Sequence, residues 1–178
     1  AIRAGGGAIR TSTEVTSIVS ARGRAVGVVT SAGLHAADQV VSTLLPVHTE
    51  TLLSPELKLA VGPDPLRYLG VVCLVMRVRK SISPYYSVNI TDRRIPLTTV
   101  VETTHVVDPE RVGGTLIYAP KYVNSDSPEL DRSAPDVRRS YIEHVQTLFP
   151  ALREEDILAT QIARARVAEP VHVLGGRR

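Results

Sequence analysis

Apolar and polar positions alternate over short stretches early in the chain, which predicts strands. Residues 8–12, 14–19 and 25–30 are rich in β-branched side chains and partly alternating, as strands are. Between the last two, Ala21-Arg22-Gly23-Arg24 supplies the glycine expected of a hairpin loop. A second turn is expected at Ser31-Ala32-Gly33, and residues 38–44 read as a further strand ended by Pro46. The expectation is a three-stranded meander with one returning strand. Residues 46–65 differ, because Pro55, Pro63 and Pro65 punctuate short helical pieces such as 56–61. Residues 67–78 hold a nearly continuous apolar run, which fits a strand buried on both faces, although periodicity alone equally admits a short buried helix. Tyr86, Val88 and Ile90 then alternate with Tyr85, Ser87 and Asn89, and residues 97–104 and 114–119 are two more strand candidates. Residues 134–149 form the clearest helix: Val137, Tyr141, Val145 and Leu148 share one stripe, Ser133 or Asp136 can cap the start and Pro150 stops it. Residues 156–167 alternate Ile162 with Arg164 and Arg166 and read as a strand returning to the sheet. The fold class is α+β, an antiparallel β-sheet with flanking helices plus a small β-meander.

Composition narrows the function. The 178 residues are 43% hydrophobic with a net charge of +3, which suits one domain or a little more and excludes both wholesale disorder and a strongly basic nucleic-acid binder. The longest apolar run, Leu69 to Met76, falls well short of the roughly 20 residues of a membrane-spanning helix. The single cysteine, Cys73, excludes an intrachain disulfide framework and a multi-cysteine metal site. It reads as a small buried hydrophobe in a reducing compartment, and a cytoplasmic location is expected. The chain opens on Ala1 and closes on Leu174-Gly175-Gly176-Arg177-Arg178, and both ends read as cut from a longer protein.

Most catalytic signatures are absent: the sequence has no G-x-S-x-G elbow, no phosphate loop and no H-E-x-x-H helix. Gly5-Gly6-Gly7 lacks the G-x-G-x-x-G spacing and opens no helix, so a turn is its better reading. The histidines His35, His48, His105, His144 and His172 show no metal-ligand spacing, and no metal site is expected. Glu102 and His105 at a strand end could share a proton or simply form a polar cluster at the sheet rim. Asp92 and Arg93-Arg94 read as a solvated loop pair. Tyr85 and Tyr86 are adjacent strand residues, so one phenol is expected on the core side and the other elsewhere.

One succession of segments carries more information than these local signals. It runs Gly7-Ala8-Ile9-Arg10-Thr11-Ser12-Thr13-Glu14-Val15-Thr16-Ser17-Ile18, then Gly23-Arg24-Ala25-Val26-Gly27-Val28, then Gly33, then Ala37-Asp38-Gln39-Val40-Val41-Ser42-Thr43-Leu44-Leu45-Pro46. It resembles the flavin amine oxidase, protoporphyrinogen oxidase and phytoene desaturase superfamily of FAD-dependent oxidoreductases, in which G-x-I-x-x-x-x-x-V-x-x-I, G-x-V-x-G-V, G and A-D-x-V-V-x-[AT]-x-P follow in this order. The segments at Tyr68-Leu69-Gly70, Tyr86-Ser87-Val88-Asn89-Ile90 and Val100-Val101-Glu102 are similar to the substrate-side sheet of the same proteins.

The resemblance implies that residues 1–46 belong to an incomplete FAD-binding domain and residues 47–178 to a substrate-side α+β domain. It implies that Val15 meets the adenine end of FAD through its backbone, with Ser42 and Thr43 near the dinucleotide. Tyr85, Tyr86, Asn89 and Glu102 become candidates to face a small-molecule substrate. The family's G-x-G-x-x-G turn and its C-terminal flavin-contacting segment have no counterpart here, so the expected partners include those flanking FAD-binding segments, and FAD is not expected to stay on this chain alone. Two alternatives stay open: a stand-alone, non-catalytic binding module, or part of a flavin-dependent sugar mutase. Nucleic-acid binding is a distant third, because Arg164 and Arg166 make only a short basic face.

Overall fold

A computed structural model describes residues 2–61 and 66–171, and the chain divides into two compact units, residues 1–65 and 66–178. The fold is α+β, with one antiparallel sheet in each unit.

In the first unit β1 (Val15–Ala21), β2 (Arg24–Thr30) and β3 (Gly33–Ala36) form a meander in the order β1-β2-β3. Ala21 pairs with Arg24, so the hairpin loop is Arg22-Gly23, and both take positive φ, 53° and 73°. Two successive left-handed residues make the turn whose twist matches that of the flanking strands, and glycine takes one of them without strain. The third strand is not the expected one. The Thr30 hydroxyl accepts from the Ala32 N–H and donates to the Gly33 carbonyl, which folds the chain back at once and puts Gly33–Ala36 beside β2. Residues 38–44 form no strand, because Ser42 Oγ bonds Thr49 Oγ1 at 2.7 Å and ties the segment to α1 (Pro46–Leu52) instead of to a sheet edge. Residues 8–12 are exposed coil as well. The proline-rich stretch folds into α1 and α2 (Pro55–Val61). Glu56 of α2 accepts from the Gly23 N–H and from Ser20 Oγ, and so fastens the helix to the hairpin.

In the second unit β4 (Arg67–Val78), β5 (Ser87–Asn89), β6 (Thr99–Glu102), β7 (Thr115–Asn124) and β8 (Ile157–Val171) form one sheet in the order β5-β6-β7-β4-β8. The apolar run 67–78 is a strand, paired antiparallel to β7 and β8. Its two faces are not equally buried: Val72, Leu74, Met76 and Val78 have no exposed surface, whereas Val71, Cys73 and Val75 are only half-buried. The buried face joins Ile117 and Ala119 of β7 and packs with Val137, Tyr141, Ile142 and Val145 of α3 (Ala134–Leu148). Ser133 caps α3: its hydroxyl accepts from the Asp136 N–H and donates to the Asp136 carboxylate at 2.6 Å. Gly70 sits at a register shift between β4 and β8, where a Cβ would come within 2.9 Å of the Ala165 carbonyl oxygen. β5 is shorter than the alternation suggested, and both tyrosines precede it in a bent segment.

Candidate functional site

β1 lies at the edge of its sheet, and the segment that fails to return as a strand passes alongside it. Between them opens a cleft of about 540 Å³. Val15, Ile18 and Val28 of the meander, Val40 and Leu44 of the crossing segment and Leu52 of α1 give it apolar walls. Glu14, Ser42, Thr43, His48 and Thr51 supply its polar groups. Val15 and the adjacent pair Ser42-Thr43, far apart in sequence, thus line one cavity. The α1 contribution was not foreseen: His48 and Leu52 are one helical turn apart after a proline at the first helical position, a signal present in the sequence. Among the described residues His35 Nε2 is a buried nitrogen without a partner. His35 does not line the cleft, so this nitrogen says nothing about a ligand there.

The cleft can be tested against a flavin nucleotide. Branched apolar walls suit the faces of a planar ring, and an edge strand leaves backbone groups for its rim. Among the described lining residues no lysine or arginine appears, and the sequence holds no glycine-rich pyrophosphate turn. The lining suits a planar, largely apolar ring and supplies no site for phosphates.

The other four candidate residues sit in the second unit, at the β5–β6 end of the sheet. Tyr85 and Tyr86 are 66% and 50% exposed. Neither enters the core, because both precede β5, so the alternation of strand side chains does not apply to them. Asn89 is exposed on β5, directly opposite Thr99. Glu102 is different, with only 3% of its surface exposed. Its Oε2 accepts from the Ile82 N–H at 3.2 Å, and its Oε1 lies 3.4 Å from His105 Nε2. The carboxylate and imidazole expected at this strand end therefore do meet, the carboxylate buried and the imidazole at the protein surface.

Elsewhere the charged groups are structural or solvated. Hydrogen bonds from Arg94 hold the Asp92 carboxyl down at about 2, on a surface loop. Burial pushes the Cys73 thiol up to about 11, against a smaller opposing effect of a backbone hydrogen bond with Ala119. Among the described residues no three His, Cys, Asp or Glu side chains gather as a metal site. No described helix is long and apolar enough to cross a membrane.

A meander with a cleft on its edge strand, and a five-stranded antiparallel sheet backed by one long helix, define an α+β protein of two units. The chain belongs to the flavin containing amine oxidoreductase family, whose profile matches residues 1–170. It is similar to an oxidoreductase from Methanosarcina mazei, with a TM-score of 0.64 and 25% identity over 93% of this chain and 40% of that one. An Exiguobacterium protein, provisionally assigned as a protoporphyrinogen oxidase, shares the fold at a TM-score of 0.61 and 16% identity, covering 95% of this chain and 37% of that one. The chain thus spans well under half the length of these solved structures. No curated protein matches it.

Proposed function

We propose that this chain is part of an FAD-dependent oxidoreductase, in which residues 1–46 contribute to the FAD-binding domain and residues 47–178 to the substrate-side domain. FAD, when bound, supplies the redox chemistry by accepting a hydride equivalent from a substrate carbon. The chain's own residues bind and orient. Val15 offers backbone groups at the edge of β1, Val28 offers apolar contact, and Ser42 and Thr43 offer hydroxyls to the adenosine end. On the substrate side, the exposed phenols of Tyr85 and Tyr86 and the amide of Asn89 present hydrogen-bonding groups beside apolar surface, a pairing suited to a small organic substrate. The observation that carries this reading is the convergence of Val15, Ser42 and Thr43 on one cleft in a chain of the flavin containing amine oxidoreductase family.

The test separates the two halves in the protein expressed from its complete reading frame. Val15 opens an edge strand, where proline is best tolerated, so Val15→Pro removes one backbone donor with little loss of the ladder. Flavin absorbance per protein should fall in Val15→Pro and stay unchanged in Tyr86→Ala. Oxidation of amines or porphyrinogens by the flavin-loaded protein should fall in Tyr86→Ala. Flavin lost from Tyr86→Ala while Val15→Pro remains loaded would refute the assignment.

A further inference from the structure

Glu102 is buried and attached to a loop that it does not belong to. Its backbone N–H donates to the Tyr86 carbonyl at 2.8 Å, and its Oε2 accepts from the Ile82 N–H. Its Oε1 faces His105 Nε2, and that nitrogen is also 2.8 Å from the Ser83 carbonyl oxygen. Both neighbours of Nε2 are acceptors, so Nε2 carries the hydrogen and His105 bridges Glu102 to Ser83. Ser83, itself buried, accepts from the Tyr85 N–H at its hydroxyl and from the Ser81 hydroxyl at its carbonyl. Ile82 and Ser83 are thus held by two side chains at the end of β6, Tyr85 is held through Ser83, and Tyr86 by the Glu102 backbone. The turn that holds His105 is fixed in its own right. Thr103 Oγ1 donates to the Leu116 carbonyl and Thr104 Oγ1 accepts from the Leu116 N–H, both at 3.3 Å on β7.

A buried carboxylate is costly unless its partners compensate it, and here the partners are the backbone of one loop and one imidazole. We infer that Glu102 and His105 are positioning residues, a clamp that holds the loop of residues 81–86 so that Tyr85 and Tyr86 stand in one fixed orientation at the rim of the sheet. This rests on the assignment of those tyrosines to the substrate side. Glu102 then acts through the loop and has no contact with substrate of its own. A tyrosine on a loose loop would lose entropy each time it met a ligand, and a clamped one has already lost it.

The experiment needs no substrate, so its outcome is independent of the turnover test above. The full chain is labelled with 3-fluorotyrosine, which places fluorine at six tyrosines, and the Tyr85 and Tyr86 signals are assigned from their Tyr→Phe variants. In Glu102→Gln and in His105→Ala, both signals should move toward the position of free 3-fluorotyrosine. Amide exchange at Ile82 and Tyr85 should speed up by about tenfold, the scale expected for a lost buried hydrogen bond. The fluorine of Tyr118 on β7 and the amides of β4 should not change. His105→Gln, whose side-chain amide can still donate toward Ser83, should restore most of the wild-type signal. Unchanged fluorine positions and exchange rates in both variants would overturn the clamp, as would loosening spread equally over β4. If Glu102→Gln does not fold, His105→Ala and His105→Gln decide by the same readouts.

Discussion

Glu129 holds three side chains of the second unit together, and replacing it with alanine should be costly. One carboxylate oxygen lies 2.9 Å from Lys121 Nζ of β7, and the other accepts from Arg132 at 2.8 Å and from the Tyr141 hydroxyl of α3 at 3.1 Å. Tyr141 is only 1% exposed, so Glu129→Ala leaves its hydroxyl buried without this acceptor, at a cost of about 1–3 kcal/mol. Lys121 and Arg132 keep some access to water, and each lost ion pair adds at most about 1 kcal/mol. The expected loss is about 3 kcal/mol, a large share of a typical domain stability. Tyr141→Phe leaves the carboxylate two cations and should cost about 1 kcal/mol. Because the two side chains touch, the double variant should lose less than the sum. Urea unfolding followed by tyrosine fluorescence reads this unit alone, since all six tyrosines lie after residue 65 and the chain has no tryptophan. Burial pushes the Glu129 carboxyl up, but hydrogen bonds from Lys121 and Arg132 outweigh it and hold it below the ordinary glutamate value. The unfolded chain therefore takes up this proton first on acidification. The contribution of Glu129 is complete above about pH 4.3, the unfolded value, and is lost as the pH falls through the lower folded value. Glu129→Gln should flatten that acid limb. A Glu129→Ala variant within about 0.5 kcal/mol of the parent, the range of an ordinary surface change, would refute the argument.

Purified alone, the chain should be colourless after gel filtration, because nothing in its sequence supplies a pyrophosphate-binding turn; a flavin absorbance band that co-elutes with it would contradict this. Cys73, its thiol raised from 9.0 to about 11, should react with iodoacetamide at pH 8 roughly 100-fold more slowly than an unperturbed thiol, since the thiolate is the nucleophile. Addition of urea should abolish the difference. Ser133→Ala removes the cap of α3 and should cost about 1 kcal/mol, read from the same tyrosine unfolding curve.

The strongest local patterns marked two elements of the second unit. Twelve mostly apolar residues became β4, and the stripe of Val137, Tyr141 and Val145 between Ser133 and Pro150 became α3, because each pattern satisfies backbone and burial at once. Arg22-Gly23 likewise fixed the first hairpin, since a left-handed pair leaves the chain no other course. The remaining decisions were tertiary. Residues 38–44 have the β-branched composition of a strand, yet the place beside β2 went to Gly33–Ala36 because the Thr30 turn delivers it first, and Ser42 is held by Thr49. Strand propensity describes what a segment tolerates, and the sheet edge goes to whichever segment reaches it with its hydrogen bonds satisfied. The candidate site followed the same rule. Alternation put one phenol of Tyr85-Tyr86 inside, but both residues precede β5 in a loop tied to Glu102 and Ser83, and both are exposed. The cleft itself was not legible in the sequence, because one wall is a helix whose approach to β1 depends on contacts distant in sequence.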